Sequence, residues 1–69
     1  MSYKLTSTGE SRALHVTQVN DPESAVLSFM YETRDSVEFE EILDETHMDD
    51  ATAIKIVGRL VGKGYVKEV

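Results

Sequence analysis

Between Ser36 and Val66 the chain carries two helical hydrophobic periods parted by a few polar residues, and the second runs directly into Gly-Tyr-Val. Phe39, Ile42, Leu43 and Thr46 recur at spacings of three and four, so one stripe of a helix over about 38–47 is apolar and the residues between are acidic. His47-Met48-Asp49 is the turn, with Met48 as an apolar plug and Asp49 as the cap of the next helix. A helix over 50–63 follows. At about 100° per residue, Ala53, Ile54, Ile56, Val57, Leu60 and Val61 share one broad arc, while Thr52, Lys55, Arg59 and Lys63 share the opposite one. Gly64 stops this helix, and Tyr65, Val66, Lys67 and Val69 begin a strand over about 65–69.

The N-terminal half must supply what two short helices lack. Asp21-Pro22-Glu23, preceded by Asn20, is the clearest helix start in the chain: a capping carboxylate, a proline where its missing N–H costs nothing, and an acid that complements the helix dipole. The helix is expected over about 22–33, burying Val26, Leu27 and Met30, with Phe29 or Tyr31 beside them. Val37 reads as a short bridge before the acidic helix. Tyr3 and Leu5 alternate with polar neighbours, as in a half-buried strand over about 3–7, and Gly9 reads as a turn. Leu14 and Val16 lie on one face of a second candidate strand over about 12–18, with a helix from near Glu10 as the alternative. The expected fold class is therefore α+β, one small domain over 1–69 with three helices (22–33, 38–47, 50–63) and a small antiparallel sheet. A chain of 69 residues buries only about 60% of its unfolded surface, so the core is compact.

In order, Val37, Glu41-Ile42, the Met48 turn, Thr52, Val57 and Leu60, and the exit Gly64-Tyr65-Val66 resemble winged helix-turn-helix regulators without a gap. The resemblance covers about thirty residues fully, and the helix from Pro22 extends it to nearly fifty. It implies a winged-helix domain in which the 50–63 helix enters the major groove of duplex DNA. Thr52 and Lys55 would then lie nearest the bases, and Arg59, Lys63 and Lys67 nearer phosphate. A family wing is a hairpin, and Tyr3-Lys4-Leu5-Thr6 with Gly9 is similar to the second wing strand of such domains. The N-terminal strand is accordingly expected to pair with residues 65–69. Asp49-Asp50 stand where DNA-binding relatives carry neutral or basic residues.

Charge is unevenly distributed. The net charge is −6, yet the eight carboxylates from Asp35 to Asp50 include no Lys or Arg among them, and the basic excess follows at once. Lys55, Arg59 and Lys63 recur every fourth residue on the face the core does not need. In isolation such a stripe is a solvated face whose cations complement the helix C-terminus; on this helix the resemblance makes it a DNA contact in a transcriptional regulator. The alternative is a winged-helix protein–protein interaction module that offers its acidic second helix to a basic protein partner and binds no DNA.

Other chemistry has little footing. His15 and His47 are isolated and the chain has no cysteine, so neither a zinc site nor a disulfide framework is expected. No nucleophile sits with a matched base, which argues against an enzyme, and no cofactor is implied. Gly58-Arg59-Leu60-Val61-Gly62-Lys63-Gly64 has the wrong spacing for a phosphate loop and lacks the Ser or Thr after the lysine. Gly58 and Gly62 lie one turn apart and instead suggest a close packing neighbour, either the N-terminal hairpin or a second protein. No apolar N-terminal run reads as a signal peptide or membrane span, so the expected location is the cytoplasm. The oligomeric state is left open.

Overall fold

The computed structural model describes residues 1–16 and 21–69. Its elements, in order, are β1 (Ser2–Leu5), α1 (Ser7–Leu14), α2 (Pro22–Thr33), β2 (Val37–Glu38), α3 (Phe39–Thr46), α4 (Asp50–Gly62) and β3 (Val66–Glu68). The α+β class holds, with four helices among the described residues where three were expected. The strand expected at 12–18 is corrected: Ser7–Leu14 is helical, and residues 17–18 lie outside the described residues, as does Asn20.

The reason is local. Thr6 sits in extended backbone at the N-cap of α1 and its hydroxyl accepts the Gly9 N–H at 3.0 Å, which starts a helix. The buried residues of α1 are Gly9 and Ala13, one turn apart and both small, whereas Leu14 faces solvent. An apolar alternation through Leu14 and Val16 suggested a strand because the residues that do pack have almost no side chain. Gly9 is therefore part of a helix and makes no turn.

β1 is the middle strand of a three-stranded antiparallel sheet of order β2-β1-β3. Ser2 and Tyr3 pair with Glu38 and Val37, while Tyr3, Lys4 and Leu5 pair with Glu68, Lys67 and Val66. The expected union of the two ends of the chain is thus present, and the bridge at Val37 is a short edge strand. The junction is tight. Tyr65 O accepts the Thr6 N–H at 3.0 Å, and the Thr6 hydroxyl donates to Gly64 O. Gly64, at φ 79°, closes α4: its N–H donates to Val61 O and the Tyr65 N–H to Leu60 O, satisfying carbonyls that a helix end leaves open.

α2 is the central helix, packed on α1, α3, α4 and β1 through Val26, Leu27 and Met30. Its start is as expected, with Asp21 Oδ1 accepting the Ser24 N–H at 2.7 Å and Pro22 in the first turn. Leu5 from β1, Ala13 from α1, Ile42 from α3, Ala53, Ile56, Val57 and Leu60 from α4, Val37 and Val66 complete the core, and Met48 in the turn packs against it. Two members of the apolar arc on α4 do not join: Ile54 is 62% exposed and Val61 43%. The arc was drawn too wide because a 13-residue helix on a core this small buries only the side facing α2.

The glycines are also reassigned. Among the described residues a Cβ on Gly58 or Gly62 would meet no atom within 4 Å, so no described neighbour approaches either. At Gly9, by contrast, a Cβ would fall 1.9 Å from Tyr65 O. Gly9→Ala should therefore destabilise the fold by about 2 kcal/mol or more, since the obstacle is backbone. Gly58→Ala should stabilise it by roughly 0.5–1 kcal/mol through helix propensity alone. Thermal unfolding followed by circular dichroism checks both; at about 4–8 °C per kcal/mol the shifts are opposite in sign and resolvable.

Candidate nucleic-acid interface on helix α4

α4 is fixed by four buried residues, Ala53, Ile56, Val57 and Leu60, and this decides where the rest of the helix points. Lys55 and Arg59 fall on successive turns of the exposed side, and among the described residues neither joins an ion pair. Thr52 precedes them by one turn and is half-buried. Lys63 closes the series at the C-cap, but its Nζ lies 2.8 Å from Glu23 Oε1 on α2. The four residues share one flank, and one of the three cations is already engaged. An exposed pair of this kind contributes about 0–1 kcal/mol, so phosphate can compete for the lysine.

Lys67 is placed elsewhere. It alternates with buried Val66 on β3 and lies opposite Lys4 of β1, which puts both lysines on the outer face of the sheet. Two like charges directly opposed repel slightly, a cost that an anion would relieve. Lys4 was missed as a candidate; the signal that could have found it was the alternation of β1 combined with the expected pairing to 65–69. Glu23 could not be found in that way, because it meets Lys63 across 40 residues of chain.

The leading end of α4 is acidic. Asp49 takes the expected N-cap position in extended backbone, but its side chain makes no capping hydrogen bond to the helix amides, and Asp50 is the first helical residue and exposed. The Thr52 hydroxyl holds the Asp49 carboxyl below the usual Asp range, with a lesser contribution from the Lys55 charge. Thr52 is half-buried one turn into α4 from this carboxylate, and Lys55 lies one turn further on. Glu38, at the start of α3, is also held low, first by the Ser2 hydroxyl at 2.6 Å and then by the terminal ammonium at 3.3 Å, and its own N–H donates to Glu41 Oε1. These contacts tie β1 to α3 and withdraw Glu38 and Glu41 from other work.

On the opposite flank of α4 from the basic residues, an open apolar hollow runs between α4, β1 and the start of α3. Met1, Tyr3, Phe39, Ile54, Gly58 and Val61 line it, with Glu38, Glu40 and Glu68 at its margin. Exposed His15 has Nδ1 2.8 Å from Ser11 O, and exposed His47 ends α3 at φ 57°. Among the described residues no three His, Asp or Glu side chains converge as a metal would need, and no helix is long and apolar enough to cross a membrane. Comparison with known proteins returns no matching family model, no matching curated protein and no matching solved structure.

The lowering of the Asp49 carboxyl, attributed first to the Thr52 hydroxyl, has a titration consequence. A carboxyl whose folded pKa is depressed contributes stability above its ordinary value of 3.8, and that contribution disappears as pH falls through the depressed value. Carboxyl NMR titration should place Asp49 below 3.8, and Thr52→Val should move it back up while leaving Asp21, held low by the Ser24 N–H, unchanged.

Proposed function

We propose that this chain is a small DNA-binding protein of winged-helix type, a transcriptional regulator that lays α4 against duplex DNA. In this reading α2, α3 and α4 are the three helices of the winged domain. β2 and β3 are two of its strands, and β1 fills the position of the second wing strand from the other end of the chain. α1 is an addition to that scheme. The observation that carries the reading is the pair Lys55 and Arg59, exposed on successive turns of the helix that follows a three-residue turn, with no ion-pair partner among the described residues.

Thr52 and Lys55 would lie nearest base edges, Arg59 and Lys63 on phosphate, and Lys67, beside Lys4, on the backbone flanking the groove. Asp49 and Asp50 oppose this approach, so net attraction would rest on a few cation–phosphate contacts, which salt weakens. The fold positions Glu23 as a competitor for Lys63.

A second reading has one observation in its favour: Glu40, Asp44 and Glu45 of α3 are exposed and, among the described residues, unpaired. They would suit a basic protein partner. Lys63 is not needed in that case.

Retardation of short duplexes at low salt separates the two. The DNA reading expects Lys55→Glu and Arg59→Glu to abolish retardation, and the affinity to fall with salt with a log–log slope of about −0.9 per phosphate neutralised. Glu23→Gln should release Lys63, tightening binding and steepening that slope by about one contact. Absence of retardation of any duplex by the unaltered protein at low salt would sink the proposal.

A further inference from the structure

The hollow beside α4 is a surface the fold leaves unfinished. Ile54 and Val61, seven residues apart on one helix face, are 62% and 43% exposed, and Met1 across from them is 75% exposed. Tyr3 and Phe39, both packed against the core from its edge, join the two ends of the hollow into one strip. Contiguous exposed apolar surface of this kind marks an interaction site more often than chance. Gly58 lies in the strip between Ile54 and Val61.

Gly58 supplies a second, independent observation. Glycine inside a helix costs about 1 kcal/mol relative to alanine, and a methyl group there would meet nothing among the described residues. The cost therefore has no return among the described residues. It has one if another chain approaches the α4 backbone closely at that point.

Charge selects the kind of chain. The side chains lining the strip include three glutamates and no Lys or Arg. Glu38 is engaged by Ser2 and the terminal ammonium, whereas Glu40 and Glu68 are exposed and make no ion pair among the described residues. A second copy of this chain would bring the same acidic margin and a net charge of −6 against it. We propose that the Met1–Tyr3–Phe39–Ile54–Gly58–Val61 strip docks an amphipathic basic segment of another protein, its apolar side chains over Gly58 and its Lys or Arg residues against Glu40 and Glu68.

The binding is helix-in-groove recognition: apolar anchors supply affinity, and the acidic margin supplies orientation and on-rate. It does not use Lys55 or Arg59, and it stands or falls apart from DNA binding. The probe is a fluorescein-labelled Leu/Lys peptide of about 18 residues, patterned as an amphipathic helix, against a scrambled peptide of the same composition and a Leu/Glu peptide of the same pattern. Anisotropy titration at about 0.15 M salt, where charges beyond about 8 Å are screened, keeps net-charge attraction small. The expected result is saturable binding of the patterned Leu/Lys peptide alone. Gly58→Leu and Ile54→Asp should each weaken it at least tenfold, and Glu40→Lys with Glu68→Lys should do the same, while Lys55→Glu should not weaken it.

Gly58 and Ile54 are exposed, so both variants should keep their fold; an unchanged helical circular dichroism spectrum confirms it for each. Equal binding of the scrambled peptide, or full affinity in Gly58→Leu, would mean that net charge alone drives association and would overturn the proposal. So would sedimentation showing a dimer of the unaltered protein that Ile54→Asp dissolves, because the strip would then belong to a second copy.

Discussion

The junction of Thr6 and Gly9 with Gly64 and Tyr65 is the constraint on which the fold depends. One threonine side chain accepts from Gly9 N and donates to Gly64 O, while its N–H donates to Tyr65 O. It therefore caps α1, fixes the exit of α4 and aligns β1 with β3 at once. Each task constrains its neighbour. Gly64 must be left-handed to turn the chain out of α4, and Gly9 must lack a side chain because the Tyr65 carbonyl occupies the space a Cβ would need. Without this junction β1 has no reason to lie centrally in the sheet. β2, only two residues long, pairs with β1 alone and would be lost with it.

The elements that were legible in the sequence are those whose signals are local. Asp21-Pro22-Glu23 announced α2, and the spacing of Ile56, Val57 and Leu60 announced α4, because capping and helical periodicity are both set within a few residues. The pairing of the two chain ends was legible through the Tyr-x-Leu-Thr-x-x-Gly run, whose Thr and Gly turn out to be the two residues that hold it. α1 was not legible, since its packing face is Gly9 and Ala13 and hydrophobic patterning does not register small residues. For the candidate site, exposure of Lys55 and Arg59 followed from the position of the core stripe. The Lys63–Glu23 pair, the exposure of Ile54 and the shift of Lys67 to the outer sheet face did not, because each depends on how elements far apart in sequence are set against one another.

α4 consequently has three sides. One is buried against α2, one carries Lys55, Arg59 and Lys63, and one carries Ile54, Gly58 and Val61. A helix of 13 residues held at one end by the α3 turn and at the other by Gly64 cannot rotate to present a different side, so the division is permanent. Acid is divided in the same way: Glu41 and Glu38 are consumed in holding α3 and β1 together, and Glu40, Glu68, Asp49 and Asp50 are left facing outward.

That outward acid bears on both readings of α4. For DNA it is a cost, since two or three cations must outweigh carboxylates near the same helix, and carboxylate repulsion weakens only over a Debye length of about 8 Å at physiological salt. For a basic segment in the apolar strip the same carboxylates are the attraction. A segment seated there would set its own Lys or Arg against Glu40 and Glu68 and lower the net negative charge of the domain, while Asp49 and Asp50 at the start of α4 would stay as they are. The two surfaces lie on opposite flanks of the buried stripe of one helix, so any coupling between such a partner and DNA would act through net charge alone. Coupling of that sort is reciprocal by thermodynamic necessity, and it needs no change of shape in this small domain.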